Sequence, residues 1–207
     1  SRRAIAGLGD DCRHHLDDIG GAPVSGFDKA WLALREPADR TARHDGLVDV
    51  LARHLAGMET ARVLDIGCGT GSAMRTMLKF PFARVDGIEL SDSIAELARS
   101  NFRSLRVAPH KLRVFASDAT AFNEQLDEYT HIYMYNPFHA PVMKAVAENL
   151  RRSLDRKPRA LTVIYRNPVC HDELVGSGAF DLKQRLGGEQ EHRIHVYHAR
   201  RPQRQRE

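Results

Sequence analysis

Residues 63–71 read Val-Leu-Asp-Ile-Gly-Cys-Gly-Thr-Gly, a short apolar run that stops on three glycines spaced one residue apart. An apolar run of this length, ended by glycine, reads as a buried strand. Behind it Ser72–Lys79 carries Met74, Met77 and Leu78 at helical spacing. A buried strand that bends sharply into a helix is the unit from which covered parallel sheets are built. The unit recurs. Strands are expected at Ala61–Ile66, Arg84–Glu89, Leu112–Ala116, Thr130–Tyr135 and Ala160–Tyr165. Between them Asp92–Leu105 presents Ile94, Leu97, Ala98, Phe102 and Leu105 as an apolar face, and Ala119–Leu126 reads as a short helix. Pro141 suits a first helical turn, and Val142, Met143, Val146, Leu150 and Leu154 behind it mark a long amphipathic helix. Ala179–Leu186 and Arg193–Ala199 flank Gly187-Gly188 and read as a hairpin at one sheet edge. The fold class expected is α/β: a doubly wound, mostly parallel seven-stranded sheet with a C-terminal antiparallel hairpin and helices on both faces.

The chain has 207 residues, 42% hydrophobic and 28% charged, which fits one domain with a short extension and excludes a largely disordered chain. We divide it into an N-terminal extension, 1–44, and a main domain, 45–207. Within the first part Asp28–Arg35 reads as a short helix stopped by Pro37; Gly46–Leu55, at the start of the second, reads as another helix. No apolar run approaches the length of a membrane span. Asp10, Asp11, Arg13, Asp17 and Asp18 interrupt any leader-like segment, so no signal peptide is expected. Cys12, Cys68 and Cys170 form neither a disulfide framework nor a zinc pattern, which points to a reducing, cytoplasmic setting. No metal is expected, because His14-His15 lack companion ligands at a suitable spacing.

Net charge is +4, with the excess gathered at Arg151, Arg152, Arg156, Lys157 and Arg159 and in the tail at Arg200, Arg201, Arg204 and Arg206. An anionic partner is one reading. Few aromatics interleave these charges, so a solvated helix face and a frayed end are favoured.

The glycines of 67–71 allow backbone to approach a ligand without a Cβ in the way. The helix that follows offers unpaired N–H groups at its start. Glu89, 22 residues beyond Gly67 at the end of the second strand, can accept hydrogen bonds from both hydroxyls of a ribose. Dinucleotide sites favour G-x-G-x-x-G; here the spacing is G-x-G-x-G, Ser72 stands where the third glycine would be, and Asp65 precedes the loop. The negative charge of Asp65 opposes a pyrophosphate but suits a sulfonium with an ammonium group. The residues therefore favour S-adenosylmethionine over NAD.

These features, with Gly-Ile-Glu-Leu-Ser at 87–91, Phe-Ala-Ser-Asp-Ala at 115–119 and Tyr-Asn-Pro-Phe at 135–138, resemble the class I, Rossmann-like S-adenosylmethionine-dependent methyltransferases over roughly residues 45–200. The resemblance implies that Asp65 and the backbone of Gly67, Cys68, Gly69 and Gly71 hold the methionine end of the cofactor. It implies that Glu89 binds the ribose, with Ile88 and Leu90 flanking the site and packing on adenine. Asp118 would meet the adenine amino group, with the Ala119 backbone beside the ring; Asp118 also suits a helix N-cap.

Asn136-Pro137-Phe138 follows the fourth strand, where a doubly wound sheet gathers ligands. It is similar to the Asn-Pro-Pro-Tyr/Phe signature of methyltransferases acting on planar amines, with one proline fewer. The three residues are the catalytic candidates. The implied activity is methyl transfer to a nitrogen or oxygen of a small molecule or protein side chain. Alternatives are an adenine-type nucleic-acid methyltransferase, less favoured, and a non-catalytic partner subunit. His139 and His171 are candidate bases. Asn167-Pro168 repeats the motif after the fifth strand. Tyr133 and Tyr135 are candidate pocket residues, one of which is expected to line it. Cys68 reads as a small filler rather than a nucleophile. Phe27, Trp31 and Leu32 are the extension's candidates for shaping an acceptor pocket.

Overall fold

A computed structural model describes residues 60–187 and 193–200. The expectations at Phe27, Trp31 and Leu32, the helices at 28–35 and 46–55, the domain limit at 44 and the tail beyond Arg200 fall outside these residues. Seven strands form one sheet: β1 (Arg62–Ile66), β2 (Arg84–Glu89), β3 (Leu112–Ala116), β4 (His131–Tyr135), β5 (Thr162–Arg166), β6 (Phe180–Leu186) and β7 (Ile194–Ala199). Their order is β3-β2-β1-β4-β5-β7-β6. The first five are parallel, and β7 lies antiparallel between β5 and β6. The order reverses at β1, whose neighbours are β2 and β4, so the crevice of a doubly wound sheet opens at the carboxyl ends of β1 and β4.

Alternation along each strand builds two cores. Leu64, Ile66, Ile132, Met134, Val163, Tyr165 and Tyr197 face one side, under α3 (Ala140–Arg156) and α4 (His171–Gly176). Val63, Val85, Tyr133, Ile164 and Val196 face the other, where Met74 and Met77 of α1 (Ser72–Met77) and Ala95, Ala98 and Phe102 of α2 (Asp92–Ser104) cover part of the face. Strand residues buried on both faces explain why β1 and β4 read as largely apolar runs, with Asp65 as the exception in β1.

Three local readings change. On α2 the buried positions are Ile94, Ala95, Ala98 and Phe102, whereas Leu97 and Leu105 are exposed. The helix places its core face one residue to the side of that expected, with alanines in close contact with the sheet. The stretch read as a helix at 119–126 is two 3₁₀ turns, Ala119–Ala121 and Glu124–Glu128. Asn149 of α3 explains this: its Nδ2 donates to the carbonyls of Thr120 (2.7 Å) and Phe122 (3.3 Å), acceptors that a continuing helix would have used. Helix α4 was not anticipated, because six residues with one buried apolar side chain, Leu174, carry no period. The hairpin strands stop at Leu186 and begin again at Ile194, a longer connection than a two-residue glycine turn.

At the amino end of the sheet, fully buried Asp86 accepts from the Tyr129 hydroxyl (2.8 Å) and from the Arg113 amide (2.8 Å). Burial and the Asp86 charge push the Tyr129 hydroxyl well above its ordinary range, so it stays a donor. Tyr129→Phe should therefore lower stability by about 1–3 kcal/mol, because a buried carboxylate loses a partner. Urea midpoints would show this, and an unchanged midpoint would refute it. Among the described residues no helix is long and apolar enough to cross a membrane.

Candidate functional site

Gly67, Gly69 and Gly71 all take positive φ, +75°, +56° and +88°, a region costly for other residues. The bend is fastened to the next strand: the amides of Gly67 and Cys68 both donate to the Ile88 carbonyl, each at 2.9 Å. Beyond it Gly69 N–H donates to Glu89 Oε2 (3.0 Å), while Ser91 N–H donates to Oε1 (3.1 Å). Glu89 is almost fully buried, and each of its oxygens keeps acceptor capacity for a further donor. Asp65 at the end of β1 is buried as well. A Cβ on Gly69 would meet no atom of the described residues within 4 Å, so none of them fills the space over the middle of the bend. Leu90, next to Glu89, leaves 68% of its surface exposed, an unusual position for a large apolar side chain beside a buried carboxylate.

Cys68 turns away from that space. A Cβ on Gly87 of β2 would stand 2.7 Å from Cys68 Sγ, so the thiol fills the notch over that glycine. Burial, with the charges of Asp65 and Glu89, pushes the thiol well above its ordinary range. That suits a filler and not a nucleophile.

Asp118 caps the first 3₁₀ turn, its Oδ1 accepting from Thr120 N–H and Oγ1, both at 2.8 Å. The end of β3 is tied to β2 through Ser117 N–H and the Glu89 carbonyl (3.0 Å). Asp118 is exposed and Ala119 buried, at the carboxyl edge that also carries Glu89.

The Asn136-Pro137-Phe138 segment reaches the glycine bend. A Cβ on Gly67 would lie 2.7 Å from Pro137 Cβ, so the two loops touch. Asn136 takes φ +38° and Asn167 φ +45°, and Asn136 N–H donates to the Arg166 carbonyl (3.1 Å). The two Asn-Pro corners thus end adjacent strands in the same uncommon backbone conformation. Phe138 packs on the α3 side, and its carbonyl accepts from Cys170 Sγ at 3.5 Å. Tyr133 and Tyr135 lie two apart and share a face, so strand alternation gives no ground for expecting only one of them at the pocket. His139 is exposed at the start of α3.

His171 is engaged elsewhere. Its Nδ1 and that of His195 meet the Tyr197 hydroxyl at 2.7 and 3.1 Å, on the sheet face opposite Tyr135. Burial first, then the charges of His171, Arg185 and Arg193, lower the His195 pKa from 6.5 to about 4. Between those values the unfolded chain takes up a proton that the folded chain refuses. Stability should fall by up to about 1.4 kcal/mol per pH unit as pH drops from 6.5 toward 4, and be unaffected by this group above 6.5. His195→Gln should flatten that slope in urea titrations; an equal slope in both proteins would remove His195 as its source.

Three arginines of the basic cluster have carboxylate partners. Arg151 pairs with Glu148 and Asp155, Arg152 with Glu148, and Arg156 with Asp127. Arg159 donates to the carbonyls of Leu126 and Tyr129, both at 2.7 Å. Among the described residues no group of three or more His, Cys, Asp or Glu is arranged to hold a metal. Arg166, which the sequence reading passed over, is 2% exposed at the end of β5 and lies over the Tyr135 ring, 4.8 Å from its centroid. The one signal that could have found it is a charged residue closing an otherwise apolar strand.

Residues 63–157 match the model of a family described as "Methyltransferase domain". A tRNA1(Val) (adenine(37)-N6)-methyltransferase of Yersinia enterocolitica is 30% identical over 141 residues, which are 66% of this chain and 52% of that protein. A sterol 24-C-methyltransferase of Candida albicans is 27% identical over 126 residues, 60% of this chain and 32% of that one. The chain thus spans about half the length of the first of these relatives and about a third of the second. Among solved structures, a magnesium protoporphyrin IX methyltransferase from Synechocystis with bound SAM superposes with a TM-score of 0.57 at 15% identity, covering 85% of each chain. A TehB-like SAM-dependent methyltransferase from Corynebacterium glutamicum gives 0.58 at 13% identity, covering 82% of this chain and 96% of that one. The seven-stranded arrangement is the fold these structures share with this chain.

Proposed function

We propose that the chain is a class I, Rossmann-like S-adenosylmethionine-dependent methyltransferase and that it moves a methyl group from that donor to a nitrogen or oxygen of an acceptor, a small molecule or a protein side chain. One contact carries this reading: Pro137 packs on Gly67, so the acceptor-side motif and the glycine bend form one continuous surface.

S-adenosylmethionine supplies a methyl already activated by its sulfonium. What the chain must supply is alignment and exclusion of water. Asp65 would offer its negative charge to the sulfonium and ammonium end, and the glycines of the 67–71 bend, whose amides at 67, 68, 69 and 71 are held by the Ile88 carbonyl, Glu89 and the Cys68 carbonyl, would let that end come close to the backbone. Glu89 uses the acceptor capacity left after Gly69 and Ser91 to hold the ribose hydroxyls. Leu90 covers one face of the adenine; Asp118 and the Ala119 backbone meet its edge. Asn136 and the Pro137 carbonyl accept hydrogen bonds from the acceptor N–H or O–H, and Phe138 closes the side. Cys68 and Cys170 are buried thiols, in keeping with a reducing, cytoplasmic setting.

Titration calorimetry with S-adenosylmethionine and with NAD tests the donor. Saturable binding of the first is expected; saturable binding of NAD alone would overturn the proposal. A second reading, methylation of adenine in RNA, is favoured by the tRNA-modifying relative and by Asn136-Pro137-Phe138. The paired arginines of α3 weigh against it, since they have few charges left for phosphates. RNA binding that weakens steeply with salt would restore it.

A further inference from the structure

We infer that Arg166 is the anchor for an oxyanion, a carboxylate or a phosphate, carried by a small acceptor molecule. This deepens the methyl-transfer reading and rests on it for the identity of the bound molecule as the acceptor.

Arg166 is among the largest fully buried side chains of the described residues. Its Nε has no hydrogen-bond partner, and it enters none of the ion pairs among the described residues. Its recorded side-chain contact is the face of Tyr135. Every other arginine of β1–β5 has a carboxylate or carbonyl: Arg62 has Glu128, Arg84 has Asp86 and Glu128, and Arg113 has Asp86. A guanidinium out of water without an anion is among the costlier features a fold can hold. A bound anion would supply the partner that this guanidinium lacks among the described residues.

Position supports the same conclusion. Arg166 pairs in register with Tyr135, and its carbonyl holds the amide of Asn136. It shares a sheet face with Ile164, Tyr133 and Asp65, because strand residues two apart point the same way. Along the carboxyl edge the sequence of groups is Asp65 on β1, Asn136 just past β4 and Arg166 on β5. A carboxylate and a guanidinium thus stand two strands apart, about 10 Å, with the acceptor motif between them. The donor's positive end belongs near Asp65. An acceptor whose nucleophile lies at Asn136 would extend its other end toward Arg166. The nucleophile and the oxyanion would then be separated by roughly one strand spacing, about 5 Å or slightly more, as across a substituted benzene ring. The planar fork of arginine accepts carboxylate and phosphate oxygens in pairs, and its stacking on Tyr135 fixes the plane. The near-complete burial of Arg166 favours a small anion over a polymer backbone.

Calorimetry with benzoate and with phenyl phosphate, at constant ionic strength, tests this on the whole chain, with and without S-adenosylhomocysteine. Saturable binding of at least one probe is expected, weakened tenfold or more in Arg166→Gln and less in Arg166→Lys; the probe that saturates tells carboxylate from phosphate. Arg166→Met is expected to melt at or above the wild-type temperature without ligand, since it removes an unpaired buried charge. Undiminished binding in Arg166→Gln, no binding of either probe to wild type, binding of an RNA oligonucleotide alone, or a clear fall in melting temperature for Arg166→Met would each overturn the assignment. The S-adenosylhomocysteine titration separately judges the donor site, so loss of one reading is not mistaken for loss of the other.

Discussion

Alanine at Gly67 is expected to destabilise the fold by about 2–5 kcal/mol and to abolish measurable S-adenosylhomocysteine binding. Two effects add. An L-residue at φ +75° costs about 1–2 kcal/mol. The new methyl would also stand 2.7 Å from Pro137 Cβ, a ring atom that cannot swing aside. Overpacking of that kind costs about 1–3 kcal/mol, and its relief would push the Asn136-Pro137-Phe138 segment away from the bend. Gly69→Ala is the control. It meets the same conformational penalty at φ +56° but no atom of the described residues within 4 Å, so its stability loss should be about 1–2 kcal/mol. Equal urea midpoints for the two variants would show that Pro137 does not press on Gly67 as described.

Glu89→Ala should weaken S-adenosylhomocysteine binding by about 1–3 kcal/mol, roughly tenfold to a hundredfold, the scale of a lost charge-assisted hydrogen bond. The carboxylate does two jobs in this reading. It staples Gly69 and Ser91 through their amides, and it receives the ribose. Glu89→Gln separates them, because the amide presents one acceptor oxygen and one NH2 group and so satisfies only one of the two backbone donors. Both variants should bind less tightly. Affinity equal to wild type in Glu89→Ala would reject the ribose role and leave the staple alone.

The sheet could be read from the chain because its strands are buried on both faces. Val63–Ile66 and Ile132–Met134 have no polar face to confuse with a helix, apart from Asp65. The bend could be read because only glycine tolerates three left-handed positions in succession at alternate residues. What escaped was what depends on distant partners. Nothing near residue 119 announces that Asn149 will take the Thr120 and Phe122 carbonyls and hold that segment as two 3₁₀ turns. The basic stretch 151–159 looks like an anion-binding face until its helical neighbours Glu148 and Asp155, and Asp127 from elsewhere, are brought beside it. Of the candidate site residues, Asp65, Glu89, Asp118 and Asn136 come to one edge of the sheet because each lies at or just past the end of a parallel strand. His171 does not join them, since α4 directs it to Tyr197.

The Ile88 carbonyl receives two amides at once, from Gly67 and Cys68. A run of glycines left to itself would be the most supple stretch of the chain, and freezing it around a guest would sap much of the guest's grip. Here the stitch to the neighbouring strand does the freezing during folding. The cradle therefore meets its visitor already shaped, and the attraction between them is spent on holding the molecule instead of on setting the loop.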